Sequence, residues 1–410
     1  MSRHKFRGLL AHLIIANVTS LFISPQAYSR QIIYNSIDSS SQQQPLSKNL
    51  EFSPQAQYLW EKYVENVKAE PLQNNCIPRR FSPPKIAKYR GTVILFHGFS
   101  ACPQQLFELA DRLRKEGYEV LLPLNPGHGR LPKNGRDVID YMPSIDNWER
   151  YEELADRMNE IAVNVGGTRI VGGLSIGGAI AALATNKFPD LYNRQILFTP
   201  LFKLSTSIIT SELQKDTKRS QDTVVDKLVE QVDNLANQRV GWGKVCQEER
   251  AANRAGYCEF KIKHIAAVAI FGRYVLGQLK PTKTGTQVVG VEGDVLASSA
   301  GIKTAIARLK SKKNVPEQKS VKDKITSFPI FNINQSDTLS ESQIKDQTFV
   351  NACFYQKGVN HSLLSRFDAP KEDKFWIEGL LEQTTMFVTS GKPFDIGGAS
   401  SETPLQRCKI

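Results

Sequence analysis

The segment VGGLSIGGAI, residues 171 to 180, sets Ser175 between Gly173 and Gly177 at the end of an apolar run. A serine hydroxyl becomes a nucleophile only when a neighbouring base takes its proton, so a chain using Ser175 for chemistry must supply a histidine and an acid to orient it. Six histidines are present. His4 and His12 fall in the first 29 residues, and His264 lies in a helical stretch suited to packing. His97 and His128 precede the serine in loops after the first two strands. His361, in GVNHSLLS, follows the last predicted strand and completes the chain order serine, acid, histidine. The chemistry these residues would do is acyl transfer.

The elements that must position them alternate. TVILFHG (92–98), YEVLLPL (118–124), TRIVGGL (168–174) and RQILFTPLF (194–202) are short apolar runs of the kind buried on both faces of a parallel sheet. Between them lie PQQLFELADRLRKEG, with Pro103 at the first helical position and Gly117 as a stop, and WERYEELADRMNEIA, apolar on one side. A third helix begins after Ser175. Strand and helix alternating at this interval predict an α/β fold with a mostly parallel sheet flanked by helices. Ser175 then stands at a strand-to-helix turn. There the glycines permit a tight bend, the hydroxyl rises above the carboxyl end of the sheet, and the helix offers its positive end to an oxyanion.

From 203 to 284 the pattern reads as helices only, TVVDKLVEQVDNLANQ and EFKIKHIAAVAIFGRYVLGQL, and predicts a helical insertion. Strand signals resume at TQVVGV (286–291), followed by a helical SSAGIKTAIARLK, FPIFNI, FVNACFY and a last helix FWIEGLLEQTTMFV. No internal repeat is found. The expected organisation is residues 1–29 as a signal peptide, 30–88 as a polar extension with one helical piece, 89–202 and 285–390 as the two parts of the core, 203–284 as a cap, and 391–410 as a polar tail.

LFHGFSACP, LNPGHG, GLSIGG and GVNHS together resemble the α/β-hydrolase superfamily, in the branch of monoacylglycerol lipases, carboxylesterases and serine aminopeptidase-like proteins. The resemblance covers about residues 89–205 and 285–390 and does not fix the substrate. It implies that His97 and Gly98 open an oxyanion loop, with the backbone N–H groups of Phe99 and Ile176 binding the oxyanion and His97 serving structure. Asn125 departs from the pattern, since many relatives carry an acid before the PGHG turn, and this bears on loop bracing.

Two aspartates end apolar runs and compete for the acid. Asp337, in FPIFNINQSD, follows a proline-led strand at a family-like interval from His361. Only 13 residues, 335–347, separate that strand from FVNACFY, barely what a parallel crossover needs. Asp294, in TQVVGVEGD, is followed by an amphipathic helix long enough for the crossover and is preferred, with Asp337 the alternative. FPIFNI and FVNACFY would then form a hairpin-like insert.

The chain of 410 residues is 40% hydrophobic and 23% charged, an ordinary globular composition. Its start is basic (Arg3, Lys5, Arg7), then apolar (LLAHLIIANVTSLFI), then small at Ala27 and Ser29, the three-part pattern of an export signal. His12, Asn17, Thr19 and Ser20 interrupt the apolar stretch, which falls short of the roughly 20 residues a membrane span needs. Cleavage would remove three basic residues and no acidic one, taking +12 to +9. That excess would suit peripheral contact with an anionic membrane surface, in the periplasm or outside the cell. LKSKK (309–313) lacks the interleaved aromatics of a nucleic-acid binder, and no nucleic-acid or obligate protein partner is expected.

All six cysteines lie beyond residue 29, an even count that predicts disulfides in an oxidising compartment. Cys246 with Cys258 is the pairing expected, because the two are close in sequence within one candidate subdomain. No CxxC pair and no HExxH occurs, so no metal and no cofactor is expected. Apolar helix faces in the insertion (Ile262, Ile265, Ala266, Val268, Ala269, Phe271) could line an acyl pocket. Medium-chain acyl esters or monoglycerides are therefore the first substrate class, with a peptidase, an acyltransferase or a non-catalytic binding protein on the same scaffold as alternatives.

Overall fold

The computed structural model describes residues 52–205, 236–251, 253–311, 349–355, 359–368 and 376–394. The signal-like segment, Asp337, FPIFNI, most of TVVDKLVEQVDNLANQ and most of the C-terminal tail lie outside the described residues.

Seven strands form one sheet. β2 (Gly91–Phe96), β3 (Tyr118–Leu122), β4 (Thr168–Leu174), β5 (Arg194–Phe198), β8 (Gly285–Val291) and β9 (Val350–Tyr355) run parallel, and β1 (Arg79–Phe81) pairs antiparallel with β3 at one edge. Their order across the sheet is β1-β3-β2-β4-β5-β8-β9. Every residue of β2, β3, β5 and β8 is buried, which is why these strands are rich in apolar residues with no regular polar alternation. α1 (Pro54–Lys68), α3 (Arg150–Val163), α4 (Ile176–Lys187) and the helices Ile262–Gln278 and Ser299–Lys310 cover one face of the sheet. α2 (Phe107–Lys115) and the helix Trp376–Ser390 cover the other. α4 is buried almost all round, as its IGGAIAALATNK composition requires.

Four differences from the sequence expectation have physical causes. Residues 52–88, read as a polar lead-in, belong to the folded body. Ser53 caps α1 by accepting the Ala56 N–H at 3.1 Å, and Cys76 is joined to Cys102. Glu119 is buried in β3 and draws β1 onto the sheet edge, accepting from Arg80 at 2.5 Å and from the Ser82 hydroxyl at 2.7 Å. An unpaired carboxylate there would be costly.

The second difference is that the insertion is not helices only. β6 (Arg239–Gly241) and β7 (Glu259–Lys261) form an antiparallel pair, and the stretch beginning EFK starts as strand before turning into helix. Third, that helix, Ile262–Gln278, packs on the main core, where Val268, Ala269, Phe271 and Val275 are buried. Gly272 permits the approach, since a Cβ there would stand 2.4 Å from the Leu201 carbonyl oxygen. Fourth, FVNACFY is no hairpin insert. It is β9, the parallel neighbour of β8, reached by a crossover that contains the helix Ser299–Lys310.

Candidate active site

β4 delivers the chain to Ser175, whose φ of 58° and ψ of −121° are unfavourable for a side chain and are held by neighbours on both sides. The Ser175 N–H donates to the Phe198 carbonyl at 2.9 Å, and the Ser175 carbonyl accepts from Leu201 N–H at 3.0 Å. The flanking glycines are required by space. A Cβ on Gly173 would lie 2.3 Å from Gly177 backbone atoms, and one on Gly177 would lie 2.2 Å from the Phe96 carbonyl oxygen. The bend therefore closes only with glycine at 173 and 177, and it places Ser175 at the mouth of α4.

His361 reaches the same place from the segment after β9, its carbonyl accepting from the Thr199 hydroxyl at 3.0 Å and from Leu363 N–H at 3.0 Å. Asp294 comes from the turn after β8. Its Oδ1 accepts from Leu296 N–H at 2.8 Å and Ala297 N–H at 3.2 Å, which aims Oδ2 at the histidine. His361 Nδ1 lies 2.7 Å from Asp294 Oδ2, with both side chains buried. Donation from Nδ1–H to the carboxylate leaves the lone pair on Nε2. That nitrogen is buried and has no hydrogen-bond partner among the described residues. Ser175 and His361 line one cavity, with no hydrogen bond between their side chains.

The loop after β2 supplies the donors. His97 is fully buried, and burial pushes its pKa well below the ordinary histidine value, so the ring is neutral. Its Nδ1–H donates to the Gly98 carbonyl at 2.8 Å, and its Nε2 accepts from Asn125 N–H at 2.9 Å. Because a peptide group is planar and trans, anchoring the Gly98 carbonyl sets the direction of the Phe99 N–H on the other side of that peptide. Ile176 N–H is one of the unsatisfied donors of the first turn of α4. Among the described residues neither Phe99 N–H nor Ile176 N–H has an acceptor. Asn125 at the departing position suits this loop, since its amide donates to the His97 carbonyl at 2.7 Å, a bond an ionised acid could not make. His128 packs edge-on against Phe99 with ring centroids 5.8 Å apart, and burial lowers its pKa to about 4.

The insertion roofs this loop. Trp242 Nε1–H donates to the Ser100 hydroxyl at 2.8 Å, and Tyr257 N–H donates to the Ser100 carbonyl at 2.7 Å. Cys246 and Cys258 stand at disulfide distance and close the strand-bounded loop that carries Arg254. The cavity beneath is about 490 Å³. Leu174, Leu201, Leu204, Ile265 and Val268 make it largely apolar, with Glu249, Arg254 and Asp368 gathered at one end. Among the described residues no cluster of His, Cys, Asp or Glu could hold a metal ion, and no helix is long and apolar enough to cross a membrane.

The family profile described as Hydrolase_4, serine aminopeptidase, S33, matches residues 87–317, more than half of the chain. The chain belongs to this family. A thermostable monoacylglycerol lipase of Bacillus sp. (strain H-257) is 32% identical over 101 residues, which are 24% of this chain and 36% of the lipase. The chain thus spans about a third of the length of that curated relative. The structure of a soluble variant of monoglyceride lipase from Saccharomyces cerevisiae, solved with a substrate analogue, superposes with a TM-score of 0.52 at 13% identity, covering 76% of this chain and 90% of that one. At that identity the likeness speaks for the fold, which is that of the α/β-hydrolases. The matched residues include His97, Gly98 and Ser175. Reasoning from sequence passed over Gln105, Ser100, Trp242, Arg254 and Asp368. Gln105 falls in PQQLFELADRLRKEG, which reads as one helix, and nothing local in SRFDAP singles out Asp368.

Proposed function

We propose that this chain is a serine hydrolase that cleaves carboxylic esters through an acyl-enzyme, with Ser175 as nucleophile, His361 as base and Asp294 as the acid that orients it. The observation that carries the reading is the 2.7 Å contact between His361 Nδ1 and Asp294 Oδ2 in the cavity that Ser175 also lines. His361 Nε2 takes the hydroxyl proton as Ser175 Oγ bonds to the ester carbon, and the carbonyl electrons move to the oxygen. Phe99 N–H and Ile176 N–H receive that oxyanion. Its collapse expels the alcohol, which leaves with the proton from His361. Water, deprotonated by the same nitrogen, then attacks the acyl carbon, and the acid departs as Ser175 regains its proton.

The apolar cavity of about 490 Å³ supports an acyl chain of medium length, in a simple ester or a monoglyceride. The Bacillus relative, a monoacylglycerol lipase by name, points the same way over its matched third. Export is part of the proposal and rests on the three-part start of the sequence and on the cysteine pairs.

The test is hydrolysis of p-nitrophenyl esters from acetate to palmitate by protein starting near Arg30, beside Ser175→Ala. Serine-dependent turnover with an optimum at intermediate chain length is expected. Ester hydrolysis that persists at the wild-type rate in Ser175→Ala would end the reading. Serine-dependent cleavage of aminoacyl amides without ester turnover would move it to a peptidase.

A further inference from the structure

Asp368 is a buried acid that the hydrolytic steps do not use, and it touches all three parts of the site. Its Oδ2 accepts from the Gln105 amide at 2.8 Å, and its Oδ1 pairs with Arg254 Nε at 2.6 Å. It lies on the segment that carries His361, where its own N–H donates to the Ser365 hydroxyl at 3.3 Å. Gln105 carries the connection onward, because its Oε1 accepts the Gly98 N–H at 2.8 Å. Gly98 thereby has its N–H held by Gln105 and its carbonyl by His97, which clamps the peptide planes on both sides of the residue before Phe99.

Arg254 comes from the loop closed by Cys246 and Cys258, and Glu249 in the same loop approaches it at 3.1 Å. Burial alone would raise the Asp368 carboxyl, yet the Arg254 charge and the hydrogen bonds from Gln105 and Arg254 hold it below the ordinary carboxylate range. The group is an anion whose contacts reach a separate part of the site on each side.

We propose that Asp368 and Gln105 are positioning residues that lock the oxyanion loop, the histidine loop and the cap into one register, with Arg254 as the cap's attachment to that lock. This rests on the serine-hydrolase reading above. When the lock is intact, Phe99 N–H and His361 sit correctly for the same tetrahedral carbon. When it is broken, substrate still meets the apolar lining of Leu174, Leu201, Leu204, Ile265 and Val268, but the oxyanion is held less well. The loss falls on kcat rather than KM, because it concerns an interaction made only in the transition state.

The experiment compares wild type with Gln105→Met, Gln105→Glu, Asp368→Asn and the Gln105→Met/Asp368→Asn double variant. Each preparation is titrated with a fluorophosphonate, so that rates are expressed per reactive serine and misfolded protein drops out. Gln105→Met keeps the volume and loses both hydrogen bonds. We expect kcat to fall about tenfold, short of the roughly hundredfold that a 1 Å misplacement brings, with KM within about twofold. Gln105→Glu still accepts from Gly98 N–H but sets a second carboxylate against the Asp368 anion, so at neutral pH it is no faster than Gln105→Met. The double variant is no slower than the worse single one, because the two residues act as one unit.

Equal kcat per titrated serine in Gln105→Met and wild type would overturn the proposal, as would losses that multiply in the double variant. Should Asp368→Asn fail to fold, the ordering of the two Gln105 variants decides alone. The fluorophosphonate labelling rate gives the same comparison without an ester. A wild type that labels but hydrolyses no ester therefore removes the ester reading and leaves this inference to the labelling rates. A wild type that does not label removes both.

Discussion

Replacing Asp294 by asparagine separates the orientation of His361 from the folding of the loop that carries the acid. The amide oxygen of the variant would keep the bonds from Leu296 N–H and Ala297 N–H, now 2.8 and 3.2 Å, so the turn after β8 should survive. The change falls on the other side of the group, where a carboxylate oxygen 2.7 Å from His361 Nδ1 becomes an NH₂ donor. Imidazole then accepts at Nδ1 and carries its proton on Nε2, the nitrogen that must receive the Ser175 proton. An orienting acid changed this way in a serine triad costs about 10⁴-fold in kcat, or about 5 kcal/mol at about 1.4 kcal/mol per factor of ten. The assay is steady-state hydrolysis of the best p-nitrophenyl ester, with circular dichroism and thermal melting run alongside. Asp294→Asn should melt within a few degrees of wild type while losing roughly three to four orders of magnitude in kcat, and Asp337→Asn should lose nothing. Activity of Asp294→Asn within tenfold of wild type would refute the reasoning and return the acid to the alternative.

Acid should destabilise the native state through its buried histidines. An unfolded His128 takes up a proton as pH falls through 6.5, whereas the folded one resists until about 4, so stability present above 6.5 is lost between those values, up to about 3 kcal/mol. His97 and His264 are depressed in the same direction, and melting curves flat from pH 7 to 4.5 would contradict all three. Converting Cys246 and Cys258 to serine opens a loop of 12-residue separation, for which chain entropy gives about 3 kcal/mol. The expected drop in melting temperature is measured under oxidising conditions, and an unchanged one would mean the bond contributes nothing. Gly177→Ala would press a methyl to 2.2 Å from the Phe96 carbonyl oxygen, and a loss of at least about 2 kcal/mol in chemical denaturation is expected.

The parts of the fold visible in the sequence are those where one local rule suffices. A strand buried on both faces is mostly apolar, so GTVILF and the ILF of RQILF announce themselves, and the elbow at Ser175 needs glycine on both sides for want of space. β9 was harder, because FVNACFY shows the mixed burial of an edge and pairs with a distant strand, Asn351 lying beside Gln287 at a separation of 64 residues. β1 has three residues and no apolar run at all, and what recruits it is Glu119 on another strand. The same limit applies to Ile262–Gln278. Its apolar faces gave the helix, but only Gly272 against the Leu201 carbonyl shows that the helix belongs to the core rather than to the cap.

The site divides along a similar line. Ser175, His361, Asp294, His97 and Gly98, the residues the proposed mechanism uses, are of reactive or turn-forming types, and their positions relative to strand ends disclose them. Arg254 and Gln105 stand 114 and 263 residues from Asp368 in sequence, and each of the three has an ordinary polar type in a stretch with no telling periodicity. What distinguishes them is burial with a satisfied partner, a property of the assembled structure alone. A single buried charge is costly, so Asp368 persists only because Arg254 and Gln105 converge on it from the cap and the oxyanion loop. The cost of an unpaired Asp368 thus opposes movement of either part away from the histidine loop. It follows that the cap and the oxyanion loop should loosen together when the pair is broken.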